Sequence, residues 1–303
     1  MMNSQIDKAH AEKLLKRATT ASVSVAIILI MLKTWGYIES GSVAIFGTLL
    51  DSVMDSLSSI IIFAAVRLSI VPADEDHRFG HGKAEAIAGL LQAFVIIATS
   101  FLLLYEVVDR IINPTIIVQA NLGIGVVVVS IILTIILVAY QKHVKRETGS
   151  VAIEADALHY SGDILLNLGV AISLLLSSMF EVTYADPVFG GVAAIYLLYS
   201  AYQVFISSTD VLMDKEMDEE ERAKIKEIIN THREVVGIHE LRTRRSGLNI
   251  FIQFHMELER GISLEAAHII SDQVENRLME TYPNAEVFIH ADPYDQSKHG
   301  TIE

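Results

Sequence analysis

Six long apolar segments dominate the first 208 residues and constrain the fold more than any other feature of the chain. Each approaches or exceeds the roughly 20 residues that a membrane-spanning helix needs. We therefore expect a six-helix membrane domain over residues 1–208. The segments lie at 15–38, 42–70, 83–112, 117–141, 149–179 and 186–208.

Basic residues in the connections predict how these helices are oriented. They gather before the first segment and in the second and fourth connections, whereas the other connections offer only Arg110. Because basic residues stay on the cytoplasmic side, six spans place both termini in the cytoplasm. The gathered residues are Lys8, Lys13, Lys16, Arg17, Arg67, Arg78, Lys83, Lys142, Lys145 and Arg146.

Residues 209–303 are charged and amphipathic, and they predict a separate α+β domain. The pattern indicates helix, strand, strand, helix, strand, with the helices over one face of the sheet. NIFIQFHMELE alternates apolar and polar residues with the period of a half-buried strand. Ser263 is suited to cap the helix SLEAAHIISDQVENRLMETY.

An internal repeat relates the second apolar segment to the fifth. GSVAIFGTLLDSVMDSL (41–57) aligns without gaps on GSVAIEADALHYSGDIL (149–165), so Asp51 meets His159 and Asp55 meets Asp163. The copies lie an odd number of spans apart and so cross the membrane in opposite directions, as in an inverted repeat. Ten residues of helix, about 15 Å, carry Asp51 and His159 to the bilayer middle. Chance similarity between two apolar helices is the alternative.

These four residues predict a metal site. Asp51 and Asp55 lie four apart on one helix face, and His159 and Asp163 have the same spacing. Ionisable residues inside a membrane usually mark an ion or proton path, the alternative being hydrogen bonding between helices. Three carboxylates and an imidazole suit a divalent transition metal, and the imidazole favours Zn²⁺. Since these ligands bind metal only when deprotonated, protons and metal compete.

Two further histidine clusters are candidate metal sites. Asp74, His77 and His81 lie in the loop PADEDHRFGHGKAEA, where they can form an open, weaker site unless the loop is simply solvated. The second cluster lies at one end of the predicted sheet, although each of its residues, taken alone, is typical of a protein surface. Its members are His239, His255, His268, His290 and Asp292.

Composition and missing motifs exclude other classes. The formal net charge of −14 argues against nucleic acid as a partner and suits cations. The chain has no cysteine, which excludes disulfides and cysteine-based zinc sites. P-loop, HExxH and nucleophile-elbow motifs are absent, so we expect neither an ATP-driven pump nor a hydrolytic enzyme.

The motifs together resemble the cation diffusion facilitator family, and within it the bacterial zinc and ferrous-iron efflux type. The likeness covers nearly the whole chain and is carried by DSVMD (51–55), DEDHRFGHGKAE (74–85), HYSGD (159–163), HELRTR (239–244), FIQFHMEL (251–258), AAHIISDQVE (266–275) and IHADP (289–293). It implies a six-helix α-helical membrane protein with a C-terminal α+β cytoplasmic domain of ferredoxin-like, metallochaperone-like architecture.

The resemblance also implies a function. It implies a homodimeric proton antiporter that lies among the lipids of the bacterial inner membrane. The exported metal would be Zn²⁺, with Cd²⁺ and Fe²⁺ as the other candidates. Asp51, Asp55, His159 and Asp163 would hold the transported ion, and the loop cluster a second one. The sheet cluster would form a binuclear centre near the dimer interface. Lys83 and Asp214 look like the family's charge interlock between helices and soluble domain. A passive metal channel and a membrane metal sensor are the rival functions.

Overall fold

The computed structural model describes residues 8–40, 43–112, 121–180 and 185–294. Residue 42 and residues 117–120, with which the predicted second and fourth segments begin, lie outside these ranges. The chain divides into two compact units, Glu12–Thr209 and Asp210–Glu303 together with Met1–Ala11.

The first unit is built from six long helices. Five of the helices in the described ranges are long and apolar enough to cross a membrane by length and composition. The side chains of α5 are described only over residues 151–169, which include Glu154, Asp156 and Asp163. The helices are α1 Lys8–Ser40, α2 Val43–Ser69, α3 Ala84–Ile112, α4 Asn121–Thr148, α5 Val151–Phe180 and α6 Ala185–Leu212.

Helix α5 lies at the centre of this unit and contacts α2, α3 and α4. The buried contacts use many small side chains, such as Ala93, Ala155 and Ala201, all with no exposed surface. Small residues let helix backbones approach closely, which is the usual way that helices pack in membranes. Large apolar side chains such as Tyr105 and Ile195 point outward, where a lipid environment would cover them.

The second unit is an α+β domain whose elements follow the predicted order. They are α7 Glu219–Asn230, β1 Val235–Ser246, β2 Asn249–Leu258, α8 Leu264–Thr281 and β3 Ala285–Pro293. The sheet order is β1-β2-β3, with β1 antiparallel and β3 parallel to β2. Strand β1 begins at Val235, four residues before the motif HELRTR (239–244).

The core of this domain lies between the two helices and the sheet. Ile252, Phe254 and Met256 of β2 are buried against residues such as Ile225 of α7 and Val274 of α8. The alternation in β2 therefore predicts the core face correctly. The hydroxyl of Ser263 accepts a hydrogen bond from the backbone N–H of Ala266 at 3.1 Å, so the predicted N-cap is confirmed.

Phe251 lies on the other face of β2 and is buried all the same. The guanidinium of Arg244 stands over its ring, with Cζ 4.5 Å from the ring centroid. A cation over an aromatic face is attracted to it and covers it. The alternating pattern does not predict this burial, because it comes from a neighbouring strand.

Candidate metal sites

Helices α2 and α5 carry the two copies of the sequence repeat, in which Val43 matches Val151. Asp55 and Asp163 therefore occupy the same turn of their helices. The hydroxyl of Ser59 in α2 contacts that of Tyr160 in α5 at 2.8 Å. Asp55, one turn before Ser59, contacts His159. Ser59 also reaches Asp156, one turn nearer the start of α5. The two helices thus run antiparallel, as the predicted inverted repeat requires.

Three of the four residues of the predicted transport site come together between these helices. Nε2 of His159 lies 3.0 Å from Oδ1 of Asp55, and one ligand atom from each of Asp55, His159 and Asp163 lies within 4.8 Å of the others. All three side chains are half-buried. Two carboxylates and an imidazole at this spacing can hold a divalent metal ion. Asp51 is exposed and lies outside this group, so its place in the site stays a prediction.

A glycine next to the site leaves room for a side chain of α6. A Cβ on Gly162 would meet Cδ2 of Leu197 at 2.7 Å, which is shorter than a normal contact. Leu197 therefore lies directly against α5 at the residue before Asp163.

A buried carboxylate that the sequence reading did not single out holds α5 one turn before His159. Asp156 has no exposed surface and accepts hydrogen bonds from Ser22 at 2.6 Å, from Gln141 at 2.7 Å and from Ser59 at 3.4 Å. These donors belong to α1, α4 and α2. The only sequence signal is an acid inside an apolar helix, which by itself does not name its partners.

Lys33 of α1 is a second group that the sequence reading missed. Its ammonium donates hydrogen bonds to the backbone carbonyl of Thr48 at 3.0 Å and to the hydroxyl of Ser52 at 2.7 Å. Ser52 follows Asp51 directly in α2, so the ammonium lies beside the helix that carries two of the predicted ligands. A lysine within the apolar span of α1 is therefore part of the electrostatic surroundings of the site.

The predicted loop site is also assembled. Oδ1 of Asp74 lies 3.3 Å from Nδ1 of His77, and Oδ2 of Asp74 lies 3.3 Å from Nε2 of His81. Asp74 accepts the backbone N–H of His77 at 2.6 Å, and this bond holds the pKa of its carboxyl below the usual range. Gly80 has a φ of 75°, which lets the chain turn between the two histidines.

The loop leads into a second buried carboxylate. Glu85, at the start of α3, accepts a hydrogen bond from Ser69 of α2 at 2.9 Å and another from Ser150 just before α5. Ser150 also accepts the N–H of Ile153 and so caps α5. Glu85 thus joins the end of α2 to the starts of α3 and α5.

In the second unit, Asp292 is the centre of a histidine cluster. Its carboxylate oxygens lie 2.8 Å from His255, 3.2 Å from His290 and 3.5 Å from His239. The hydrogen bond with His255 is the main reason that the pKa of Asp292 is lowered, and the charges of the neighbouring histidines add to it. His239, His255 and Asp292 place one ligand atom each within 4.8 Å of the others. The ring of His290 lies beside that of His255, tilted by 49° with the ring centroids 4.7 Å apart.

Glu257 is a further acid beside this cluster that the sequence reading did not select. Its Oε1 lies 3.8 Å from Nε2 of His239, and its side chain is only 5% exposed. A Cβ on Gly237 would lie 2.8 Å from Oε2 of Glu257, so the glycine leaves room for the carboxylate. Between His239 and Arg242 the strand register shifts, and Glu240 adopts a positive φ of 49° there.

Besides Asp51, one predicted metal ligand lies outside its cluster. His268 is exposed on α8 and lies 3.5 Å from Asp272, outside the cluster around Asp292. Asp214 accepts a hydrogen bond from Arg244 at 3.1 Å. Lys83 belongs to the other unit, so its predicted interlock with Asp214 stays a prediction.

Both units match one protein family. Residues 19–213 match the cation efflux transmembrane domain, and residues 217–294 match the cytoplasmic domain of cation efflux proteins. The chain belongs to the cation efflux, or cation diffusion facilitator, family. This family assignment was predicted from the motifs, and it is confirmed.

The family members that this chain resembles include bacterial pumps. It is 44% identical to the cation-efflux pump FieF of Shewanella oneidensis, over 92% of this chain and 94% of that protein. It is 39% identical to FieF of Salmonella choleraesuis, over 93% of each. A solved metal-bound C-terminal domain of the CzcD transporter from Thermotoga maritima is 24% identical and covers 29% of this chain and all of that domain, with a TM-score of 0.24.

Proposed function

We propose that this cation efflux protein exports Zn²⁺ from the cytoplasm in exchange for protons, by alternating access through the cluster between α2 and α5. The observation that carries the proposal is the contact of His159 with Asp55, in one group with Asp163, inside an apolar helical unit. Asp51, four residues before Asp55, completes a four-ligand set in the loaded state. Residues 1–208 form a six-span transport domain in the bacterial inner membrane, and residues 209–303 form a cytoplasmic domain.

The imidazole of His159 is the reason to place zinc first. Sites with oxygen ligands alone suit magnesium and manganese, whereas an imidazole among carboxylates suits zinc and iron. Zinc also accepts four ligands in a tetrahedral arrangement, which two i,i+4 pairs on facing helices can supply. Cd²⁺ and Fe²⁺ are the other metals that we expect the site to accept.

Proton exchange follows from the ligand chemistry. Carboxylate and imidazole ligands bind metal only without their protons, so loading a metal ion releases protons and protonation releases the metal. If the site opens to one side of the membrane at a time, the two cargoes cross in opposite directions. The same competition makes an ordinary pH gradient a driving force for export.

The remaining clusters fit a supporting role. Asp74, His77 and His81 bind a metal ion at the ends of α2 and α3 that face the cytoplasm. Both termini lie on the same side of the membrane. His239, His255, His290 and Asp292 bind zinc in the cytoplasmic domain, and His268 joins this centre in the homodimer. Metal there stabilises the dimer and reports the cytoplasmic metal load. Lys83 and Asp214 link the two domains.

The test is metal flux in proteoliposomes with and without a pH gradient. We expect an imposed gradient to drive Zn²⁺ against its own gradient, and collapse of the gradient with a protonophore to stop that movement. Zinc flux that ignores the pH gradient would show a passive channel. Zinc binding without any flux would show a metal sensor. Either outcome would contradict the proposal.

A further inference from the structure

Lys33 lies within the span of α1, where a charged side chain is costly and usually functional. Its ammonium is held in place by two hydrogen bonds to α2, one to the carbonyl of Thr48 and one to the hydroxyl of Ser52. Ser52 is buried and follows Asp51 directly in the chain. The positive charge is therefore anchored beside the helix that carries two of the proposed ligands.

We propose that Lys33 is a fixed countercharge of the transport site, which matches the site to divalent cargo and promotes its release. This inference rests on the proposed transport site. Asp51, Asp55 and Asp163 carry three negative charges when ionised. One lysine and one divalent cation carry three positive charges, so the loaded site is electrically neutral. Neutrality matters here because an uncompensated charge at the middle of a membrane costs several kcal/mol.

The countercharge acts on binding in a definite direction. An ammonium near the site repels a metal cation, and it does so strongly because few water molecules screen the interaction. The three acids alone would hold a divalent ion with excess negative charge and would release it slowly. With Lys33 present, we expect weaker binding and faster release, which a transporter needs in order to turn over.

A purely structural role is the alternative, in which Lys33 only ties α1 to α2 through Thr48 and Ser52. Two substitutions separate the roles. Lys33→Gln keeps a hydrogen-bond donor, on a side chain one bond shorter, and removes the charge. Ser52→Ala keeps the charge and removes one of the two hydrogen bonds. Lys33→Arg keeps the charge on a different head group.

The experiment measures the KM and the maximal rate of Zn²⁺ flux in proteoliposomes made with the full-length protein. The loading side is kept at pH 8, where protons compete least for the ligands. We expect Lys33→Gln to lower KM about tenfold and to lower the maximal rate. Lys33→Arg should stay within about twofold of the wild type in both values, and Ser52→Ala should leave KM unchanged.

Two results would overturn the proposal. One is an unchanged KM in Lys33→Gln, and the other is a Ser52→Ala protein that reproduces the changes of Lys33→Gln. A Lys33→Gln protein that does not fold is replaced by Lys33→Met, which is apolar and inserts readily into a membrane, and the same KM criterion applies. Asp163→Ala is measured in parallel. Continued flux in that variant would contradict the transport site itself, independently of Lys33.

Discussion

Nε2 of His159 and Oδ1 of Asp55 lie 3.0 Å apart although the two residues are 104 positions apart in the chain. Each belongs to one copy of the sequence repeat, and each copy supplies one helix. A single contact therefore joins the two halves of the repeat at the metal site. The cost of placing acids in an apolar helix is tolerable where a cation or protons neutralise them.

His159→Asp should shift the metal preference of the transporter. It replaces the imidazole with a carboxylate and leaves an all-oxygen site, which suits Mn²⁺ better than Zn²⁺. We expect the ratio of Mn²⁺ to Zn²⁺ flux to rise at least several-fold in a competition assay. An unchanged ratio would show that His159 does not set the preference.

Asp156→Ala should destabilise the helical unit. The substitution removes the buried acceptor that Ser22, Gln141 and Ser59 share, and each hydrogen bond lost costs about 1 kcal/mol. We expect a clear fall in the thermal denaturation temperature in detergent. Asp156→Asn keeps one acceptor oxygen, so its denaturation temperature should fall less. The exposed Asp76→Ala serves as the matched control, and an equal fall in all three would contradict the role assigned to Asp156.

The helices and the two i,i+4 pairs could be predicted from the sequence because each rests on a local period. Apolar length sets a spanning helix, and a spacing of four places Asp55 near Asp51 and Asp163 near His159 on one helix face. The gap-free repeat supplied the one long-range relation, between α2 and α5. The order of elements in the cytoplasmic domain was predictable for the same reason, since alternation and helical periods are local.

Lys33 and Asp156 could not be assigned partners from the sequence. Each is a single polar residue in an apolar helix, and its partners lie on other helices, whose rotation depends on tertiary packing. Periodicity does not encode those rotations. The exposed position of Asp51 has the same origin, because spacing places it one turn from Asp55 but does not fix which way its side chain points.

Asp292→Ala should remove zinc from the cytoplasmic domain more completely than His268→Ala. Asp292 contacts His239, His255 and His290, whereas His268 lies outside this cluster. We expect equilibrium dialysis to show that the Asp292→Ala protein loses both zinc ions of the cytoplasmic centre, whereas the His268→Ala protein keeps one of them. Equal zinc content in wild type and Asp292→Ala would contradict the assignment of this centre.

Tyr282 should make the cytoplasmic domain sensitive to alkaline pH. Burial raises the pKa of its phenol, and the hydrogen bond that it donates to Glu221 at 3.0 Å raises it further. The folded domain therefore favours the neutral phenol. Its contribution to the free energy of unfolding is complete below pH 10 and is lost as the pH rises above that value.

Tyr282→Phe tests this prediction by calorimetry of the full-length protein between pH 8 and pH 11. At pH 8 the variant should be less stable by about 1 kcal/mol, because it lacks the hydrogen bond to Glu221. The difference from wild type should shrink as the pH rises above 10, since only the wild type has to ionise this phenol. A difference that stays constant over the whole range would contradict the raised pKa.

The central claim, that metal crosses the membrane through the cluster of Asp55, His159 and Asp163, is tested most directly by zinc flux driven by a pH gradient in proteoliposomes. His159→Ala and Asp163→Ala are compared with His143→Ala, which changes an exposed histidine of α4. The account predicts that flux is abolished in the first two variants and stays at the wild-type level in the third. Zinc flux at the wild-type level in both His159→Ala and Asp163→Ala would contradict it.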